Sequence, residues 1–170
     1  MSSENLDSLV TEAALNCLDL ELGALQSLRS CIDRTFVKVV MALYETKGRL
    51  VFTGIGKSAI VAQKIVATLN STGTPSLFMH AADAIHGDLG MIRQEDIVLC
   101  ISKSGETPEI RVLIPLIRMR KVRLIGISSN PASTLATQSD DHLFIPLERE
   151  ADPNNLAPTA STTAQMALGD

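Results

Sequence analysis

Two short stretches hold residues whose types and spacing can do chemistry: "GIGKSA" at 54–59 and "SKSGETPE" at 102–109. In the second, Ser102, Ser104 and Thr107 stand at i, i+2 and i+5, Gly105 permits a tight turn, and a helix is expected to begin at once. Three hydroxyls and several free N–H groups then surround one point, which suits a phosphate monoester with three oxygens to satisfy. The alternative is a capped helix: Ser104 or Thr107 as N-cap, with Glu106 and Glu109 serving the helix dipole, leaves the same pattern.

"GIGKSA" follows the apolar run Leu50-Val51-Phe52 and reads as a glycine-rich turn from strand to helix, whose first amides lack partners inside the helix and can aim at an anion. A P-loop needs a glycine at position 51, which is Val51. A dinucleotide fingerprint fits Gly54, Gly56 and Ala59, but it wants an acid at the end of the second strand; the chain there reads Thr74 to His80, and the first acid, Asp83, lies beyond. A compact phosphoester is the reading left. Lys57, in the same turn, is either a solvated helix-start lysine or a cation for the ligand.

These turns need elements to carry them. Residues 4–45 place Leu18, Leu22, Leu25, Ile32, Phe36, Val39, Val40 and Leu43 near helical period, with a break around Ser30–Thr35, so two helices are expected. From Arg49 onward short β-rich runs alternate with helical stretches. Strands are expected at 50–54, 76–80, 96–102, 123–128 and 142–147, and helices at about 57–72, 81–91, 106–121 and 131–138, with a kink at Pro115 and a last helix over 158–170. That alternation, with near-continuous apolar strands, implies a doubly wound, three-layer αβα sandwich around a five-stranded parallel sheet. In such a sheet the ligand lies at the carboxyl ends of the strands. The residues there are Gly54 to Ser58, then His80, Asp83, His86 and Asp88, then the 102–109 run, then Glu148-Arg149-Glu150. His86 beside Asp88 invites a metal, but two ligands do not define a site. His86 also reads as a structural histidine, and Glu148 and Glu150 as an exposed edge. No metal or other cofactor is expected.

Composition narrows the classes. The 170 residues are read as one domain, with helices 4–45 ahead of an αβα core at 49–170. Hydrophobic content is 45% and mean hydropathy +0.20, yet no stretch reaches the roughly 18–20 apolar residues of a membrane span, so the excess is assigned to a self-association interface. A net charge of −4 and 3% aromatics leave neither a basic footprint nor stacking platforms for nucleic acid. The basic run Arg118–Arg123 is read as a solvated helix end. The start, Met1 to Asn5, shows no leader pattern, and Cys17, Cys31 and Cys100 have no metal spacing, so a cytoplasmic protein with reduced thiols is expected.

"SKSGET" resembles the S-x-S-G-x-T phosphate turn of the sugar isomerase (SIS) domain. Together with it, "GIGKSA", "HAADAIHGDLGM" and "LAPTASTTAQMALGD" are similar to the D-arabinose 5-phosphate isomerases that feed Kdo synthesis in Gram-negative bacteria, and the likeness runs from about residue 5 to the end. The resemblance implies that Ser58, Ser102, Ser104 and Thr107 bind the substrate phosphate, with backbone help from Gly56 and Lys103. It also implies functional roles for Lys57, His86, Glu109 and Glu150. The implied reaction interconverts D-ribulose 5-phosphate and D-arabinose 5-phosphate through an enediol, in a homotetramer built on the N-terminal helices. Either Glu109 or Glu150 would be the base, its pKa raised by a closed pocket. Lys57 would steady the enediolate or the phosphate, and His86 would pass a proton between oxygens.

Two departures from the family pattern stand out. Family members usually carry a histidine in an H-P-G-G segment about 40 residues past the equivalent of Glu150, and many append a pair of CBS domains; the sequence stops at Asp170, in what reads as a cut helix. Other readings are an SIS isomerase of a larger sugar phosphate and a non-catalytic sugar-phosphate sensor.

Overall fold

The computed structural model describes residues 3–170, with side chains from Asn5 onward; Met1 and Ser2, part of the start read for a leader, lie outside the described residues. Helix α1 (Ser3–Ser27) runs into a 3-10 turn at Leu28–Cys31, and α2 (Arg34–Glu45) follows. The break falls where expected because Asp33 caps α2, its Oδ1 accepting the amides of Thr35 at 2.8 Å and Phe36 at 3.0 Å.

Five strands then alternate with helices: β1 (Leu50–Gly54), α3 (Gly56–Ser71), β2 (Ser76–His80), α4 (Ala81–Ile85), β3 (Ile97–Ile101), α5 (Pro108–Met119), β4 (Arg123–Ser128), α6 (Thr134–Gln138), β5 (Asp141–Phe144) and α7 (Ala160–Gly169). All pairings are parallel and the strand order is β2-β1-β3-β4-β5, a doubly wound α/β sheet. Some expected bounds move. The helix expected at 81–91 splits at Gly87, whose φ of +139° no helix accepts, leaving α4 and a 3-10 turn at Asp88–Met91. Strand β5 stops at Phe144, ahead of Pro146, which lacks the N–H a ladder requires. Pro115 does not interrupt α5, which is continuous from Pro108 to Met119.

Strands β1 and β3 are buried along their whole length because helices cover both faces. On one face Leu50, Phe52, Leu99 and Ile125 pack with Val39 of α2, Ile65 of α3 and Ala164 of α7. On the other, Val51, Val98, Cys100 and Leu124 pack with Ala84 of α4, Ile110, Ile114 and Ile117 of α5 and Leu135 of α6. Neighbouring residues of one strand thus serve opposite cores, the period-2 geometry of a strand. All three cysteines are free thiols, and burial pushes Cys100 up to about 12. Apolar side chains remain exposed on α1 (Leu6, Leu9, Val10, Leu15, Leu18, Leu22) and α2 (Val37, Val40, Met41, Tyr44).

Candidate functional site

The register of β1 against β3 pairs Gly54 with Ile101, so both strands end at one level. From there the chain turns to α3 on one face and to α5 on the other. This reversal opens a crevice between the 55–58 and 102–107 turns, the place where doubly wound sheets bind ligands.

A cavity of about 210 Å³ lies there, lined by Ile55, Lys57, Ser58, Ser102, Lys103, Ser104, Thr107, Pro158 and Ser161. A larger hollow of about 570 Å³ sits at the amino ends of β4 and β5, but most of its charges are already paired: Lys38 and Arg123 with Asp141 at 2.5 and 2.6 Å, Arg118 with Asp140 at 2.6 Å. Those pairs also correct the reading of 118–123 as a merely solvated basic run. The smaller cavity is the one whose polar groups still want partners.

Both turns are shaped for an anion. Gly56 has φ +59° and Gly105 φ +66°, and a Cβ on Gly105 would fall 2.3 Å from Ser133 Oγ. Where α2 and α6 have side-chain caps from Asp33 and Ser133, α3 and α5 have none; the first-turn amides stay available, in α5 from Glu109 onward because Pro108 has no N–H. Thr107 is the N-cap of α5, yet its Oγ1 is buried and makes no hydrogen bond. A capping role is therefore not what keeps this hydroxyl here. Ser102 Oγ accepts the Gly105 amide at 3.1 Å and Ser104 Oγ the Glu106 amide at 3.2 Å, which hold the turn closed. Ser129 donates its amide to the Lys103 carbonyl at 2.9 Å, tying the turn to the chain after β4. Ser58 Oγ donates to Gln165 Oε1 of α7 at 3.1 Å.

Ser161 is the residue that sequence reasoning did not single out. Its side chain is 1% exposed, its Oγ has no hydrogen-bond partner, and it lines the cavity from the first turn of α7. The signal was present only as the single serine of "LAPTASTT", beside three threonines. Thr107→Val is expected to leave the melting temperature unchanged or raised, because it removes an unsatisfied buried hydroxyl, and Ser161→Ala to leave it close to the wild-type value, because the hydroxyl it removes makes no hydrogen bond yet lies beside the Glu150 carboxylate. Affinity for a sugar phosphate should fall about 10-fold in each, the worth of one hydrogen bond to a charged group; calorimetric titration beside thermal melts checks both halves.

The other candidates divide. Lys57, Ser58, Ser102, Lys103, Ser104 and Thr107 share the cavity wall, with Gly56 in the turn beside them. Glu109 stands half-buried in the first turn of α5, engaged by no hydrogen bond or ion pair among the described residues, and does not line the cavity. His86 is exposed at the end of α4, also off the wall. Glu106 has a structural role, since its carboxylate accepts the Thr134 amide and, at 3.0 Å, the Thr134 hydroxyl at the start of α6. Among the described residues no cluster of three His, Cys, Asp or Glu is placed to hold a metal.

Glu150 departs most from expectation. It is not an exposed edge but 0% exposed. Its Oε2 accepts the amides of Thr159 at 2.9 Å and Ser161 at 3.0 Å, capping α7 from outside the helix. Its Oε1 lies 2.6 Å from Lys103 Nζ, an ion pair off hydrogen-bond direction, so this oxygen has a counter-charge and no other donor. Burial alone would raise the pKa, as the sequence led us to expect. The Lys103 ammonium, the Ser161 side chain lying beside the carboxylate, and the two α7 amides outweigh it and hold the group at about 2. Paired in this way, Glu150 is a weak base.

Fold and site together define a class: a doubly wound α/β domain with two glycine-containing turns facing each other across its switch point. Residues 42–170 match the SIS domain, and the chain belongs to that family. It is 48% identical to the arabinose 5-phosphate isomerase KdsD of Pseudomonas aeruginosa over 99% of this chain and 51% of that protein. Its identity to the KdsD of Yersinia pestis is 46%, over 94% of this chain and 48% of the relative. The chain spans about half the length of these curated relatives. Among solved structures, E. coli CFT073 c3406 in complex with arabinose 5-phosphate superposes with a TM-score of 0.90 at 38% identity, covering 100% of this chain and 88% of that one.

Proposed function

We propose that this protein interconverts D-ribulose 5-phosphate and D-arabinose 5-phosphate, an aldose–ketose isomerisation through an enediol. The observation that carries the reading is the crevice between β1 and β3, where two uncapped helix starts and the unpartnered Thr107 hydroxyl converge on a phosphate-sized cavity. The five-carbon substrate is carried over from the relatives, one of them complexed with arabinose 5-phosphate.

In this reading Ser58, Ser102, Ser104, Thr107 and the amides around Gly56 and Lys103 hold the phosphate, and Ser161 adds a contact. The reaction moves a proton between C1 and C2 while negative charge develops on the enediol oxygens. Glu109 and Glu150 are the carboxylates for that transfer. Lys57, on the cavity wall, meets the charge of the phosphate or the enediolate, and His86 relays a proton between oxygens. The same reading has residues 1–170 forming one domain, places the protein in the cytoplasm and its product on the way to Kdo and lipopolysaccharide. The exposed apolar side chains of α1 and α2 support self-association, with a homotetramer as the arrangement proposed.

The deciding experiment is conversion of ribulose 5-phosphate followed by NMR, with Glu150→Gln alongside. The protein should produce arabinose 5-phosphate, and the variant should lose at least about 100-fold in turnover, the scale of one general-base contribution. Tight binding of arabinose 5-phosphate with no conversion by the wild-type protein would replace the enzyme by a sugar-phosphate sensor.

A further inference from the structure

The two oxygens of the Glu150 carboxylate are held by different parts of the molecule. Oε2 is fixed by α7 through the Thr159 and Ser161 amides. Oε1 has no hydrogen-bond partner and pairs with the ammonium of Lys103, which comes from the 102–107 turn, while the Ser161 side chain lies beside the carboxylate. Lys103 is poorly anchored by comparison: its side chain is 41% exposed and it lines the cavity meant for the phosphate. The other charged groups on the cavity wall, on α1 and in the segment that leads to α7 have separate positions. Lys57 enters the cavity from α3, Glu21 of α1 accepts the Thr163 hydroxyl of α7, Arg149 Nε donates to the Glu150 main-chain carbonyl, and Asp152 accepts the amides of Leu156 and Ala157. Among the described residues only Lys103 makes an ion pair with Glu150.

We infer that Lys103 is a positioning residue tying phosphate occupancy of the 102–107 turn to the protonation of Glu150: its ammonium, seated on Oε1, keeps the carboxylate ionised, and a bound sugar phosphate draws that ammonium away. The inference rests on the phosphate reading of the cavity given above. A phosphate monoester at neutral pH carries close to two negative charges against the single charge of a carboxylate, and it would lie among the neighbours of Lys103 on its own turn. The stem of Lys103 is long and flexible enough to exchange one partner for the other. Once Oε1 loses its counter-charge, burial and the nearby dianion both raise the carboxylate's pKa. Oε2 stays tied to α7, so orientation is kept while basicity rises. A stronger base therefore exists only when substrate is present, and with Lys103 on Oε1 the carboxylate stays deprotonated and ready.

Carboxyl-carbon NMR of protein labelled in its glutamates reads this directly, with the Glu150 signal assigned by its loss in Glu150→Gln. Ligand-free wild type should show no Glu150 titration between about pH 4 and 8. Saturating arabinose 5-phosphate should move its midpoint up by at least about two pH units, into that window. Lys103→Met should place the midpoint in the window without ligand, and Lys103→Arg should restore the wild-type behaviour. A Glu150 signal that saturating ligand leaves unmoved overturns the inference, as does a Lys103→Met protein that titrates like wild type. The wild-type titration decides the matter even if the methionine variant fails to fold. Amide shifts at Ser102–Thr107 report binding independently: binding without change at Glu150 defeats this inference alone, and absence of binding defeats the phosphate reading with it.

Discussion

Gly105→Ala is expected to destabilise the protein by roughly 2–5 kcal/mol and to weaken arabinose 5-phosphate binding at least about 100-fold. The stability loss has two parts. A side chain at φ +66° costs about 1–2 kcal/mol. The new methyl also meets Ser133 Oγ at 2.3 Å, Ser133 Cβ at 2.7 Å and Leu135 Cβ at 3.2 Å, an overpacking of about 1–3 kcal/mol. Relief is blocked on both sides. Ser133 Oγ is committed to capping α6 through the Ala136 amide at 3.1 Å, and the Gly105 carbonyl accepts the Leu135 amide at 3.2 Å. The 102–107 turn is then the part that moves, and with it Ser102, Ser104 and the Thr107 hydroxyl. Chemical denaturation and calorimetric titration of the variant are the measurements. A protein that loses stability but binds normally would show that the turn is not the phosphate site.

Asp96→Ala is expected to cost a comparable 3–5 kcal/mol, about 10 °C in melting temperature, with sugar-phosphate affinity unchanged. Asp96 lies just before β3, at the end of the sheet opposite the cavity. Its side chain is 0% exposed and accepts the Arg49 amide at 2.8 Å, the Arg49 guanidinium at 2.7 Å and the Arg93 amide at 2.9 Å. Truncation leaves all of these donors without their acceptor. The pH dependence has a definite sign. Burial alone would raise the Asp96 pKa, but the guanidinium and the two amides prevail and hold it below the ordinary aspartate value. A depressed folded-state pKa gives stability that is complete above the unfolded value, about 3.9, and lost as pH falls through the folded one. The gap between wild type and variant should therefore be constant from neutral pH down to about 5 and close below about 4. A gap that widens on acidification would contradict the assignment.

Much of the fold was legible because its signals are local. Strand and helix periods alternate down the chain, Asp33 marks the start of α2, and Gly56 of "GIGKSA" and Gly105 of "SKSGET" mark turns completed by a positive φ. The misplaced bounds have local causes as well, in Gly87 and Pro146, whose backbone constraints override the apolar runs around them.

The sequence by itself determined a parallel α/β sheet and two glycine-containing, hydroxyl-rich turns at strand ends, since turn chemistry and hydrophobic period act over a few residues. Only the tertiary structure decided that the two turns face each other, through the pairing of β1 with β3, and that Ser161 arrives at the same cavity on α7. It also reversed the expected behaviour of Glu150. A closed pocket was expected to bury the carboxylate and raise its pKa, but the groups that outweigh burial are placed by the fold: the Lys103 ammonium comes from another strand end and the Thr159 and Ser161 amides from the start of α7. A buried charge takes its pKa from whatever the fold sets beside it, and that choice is made by long-range packing.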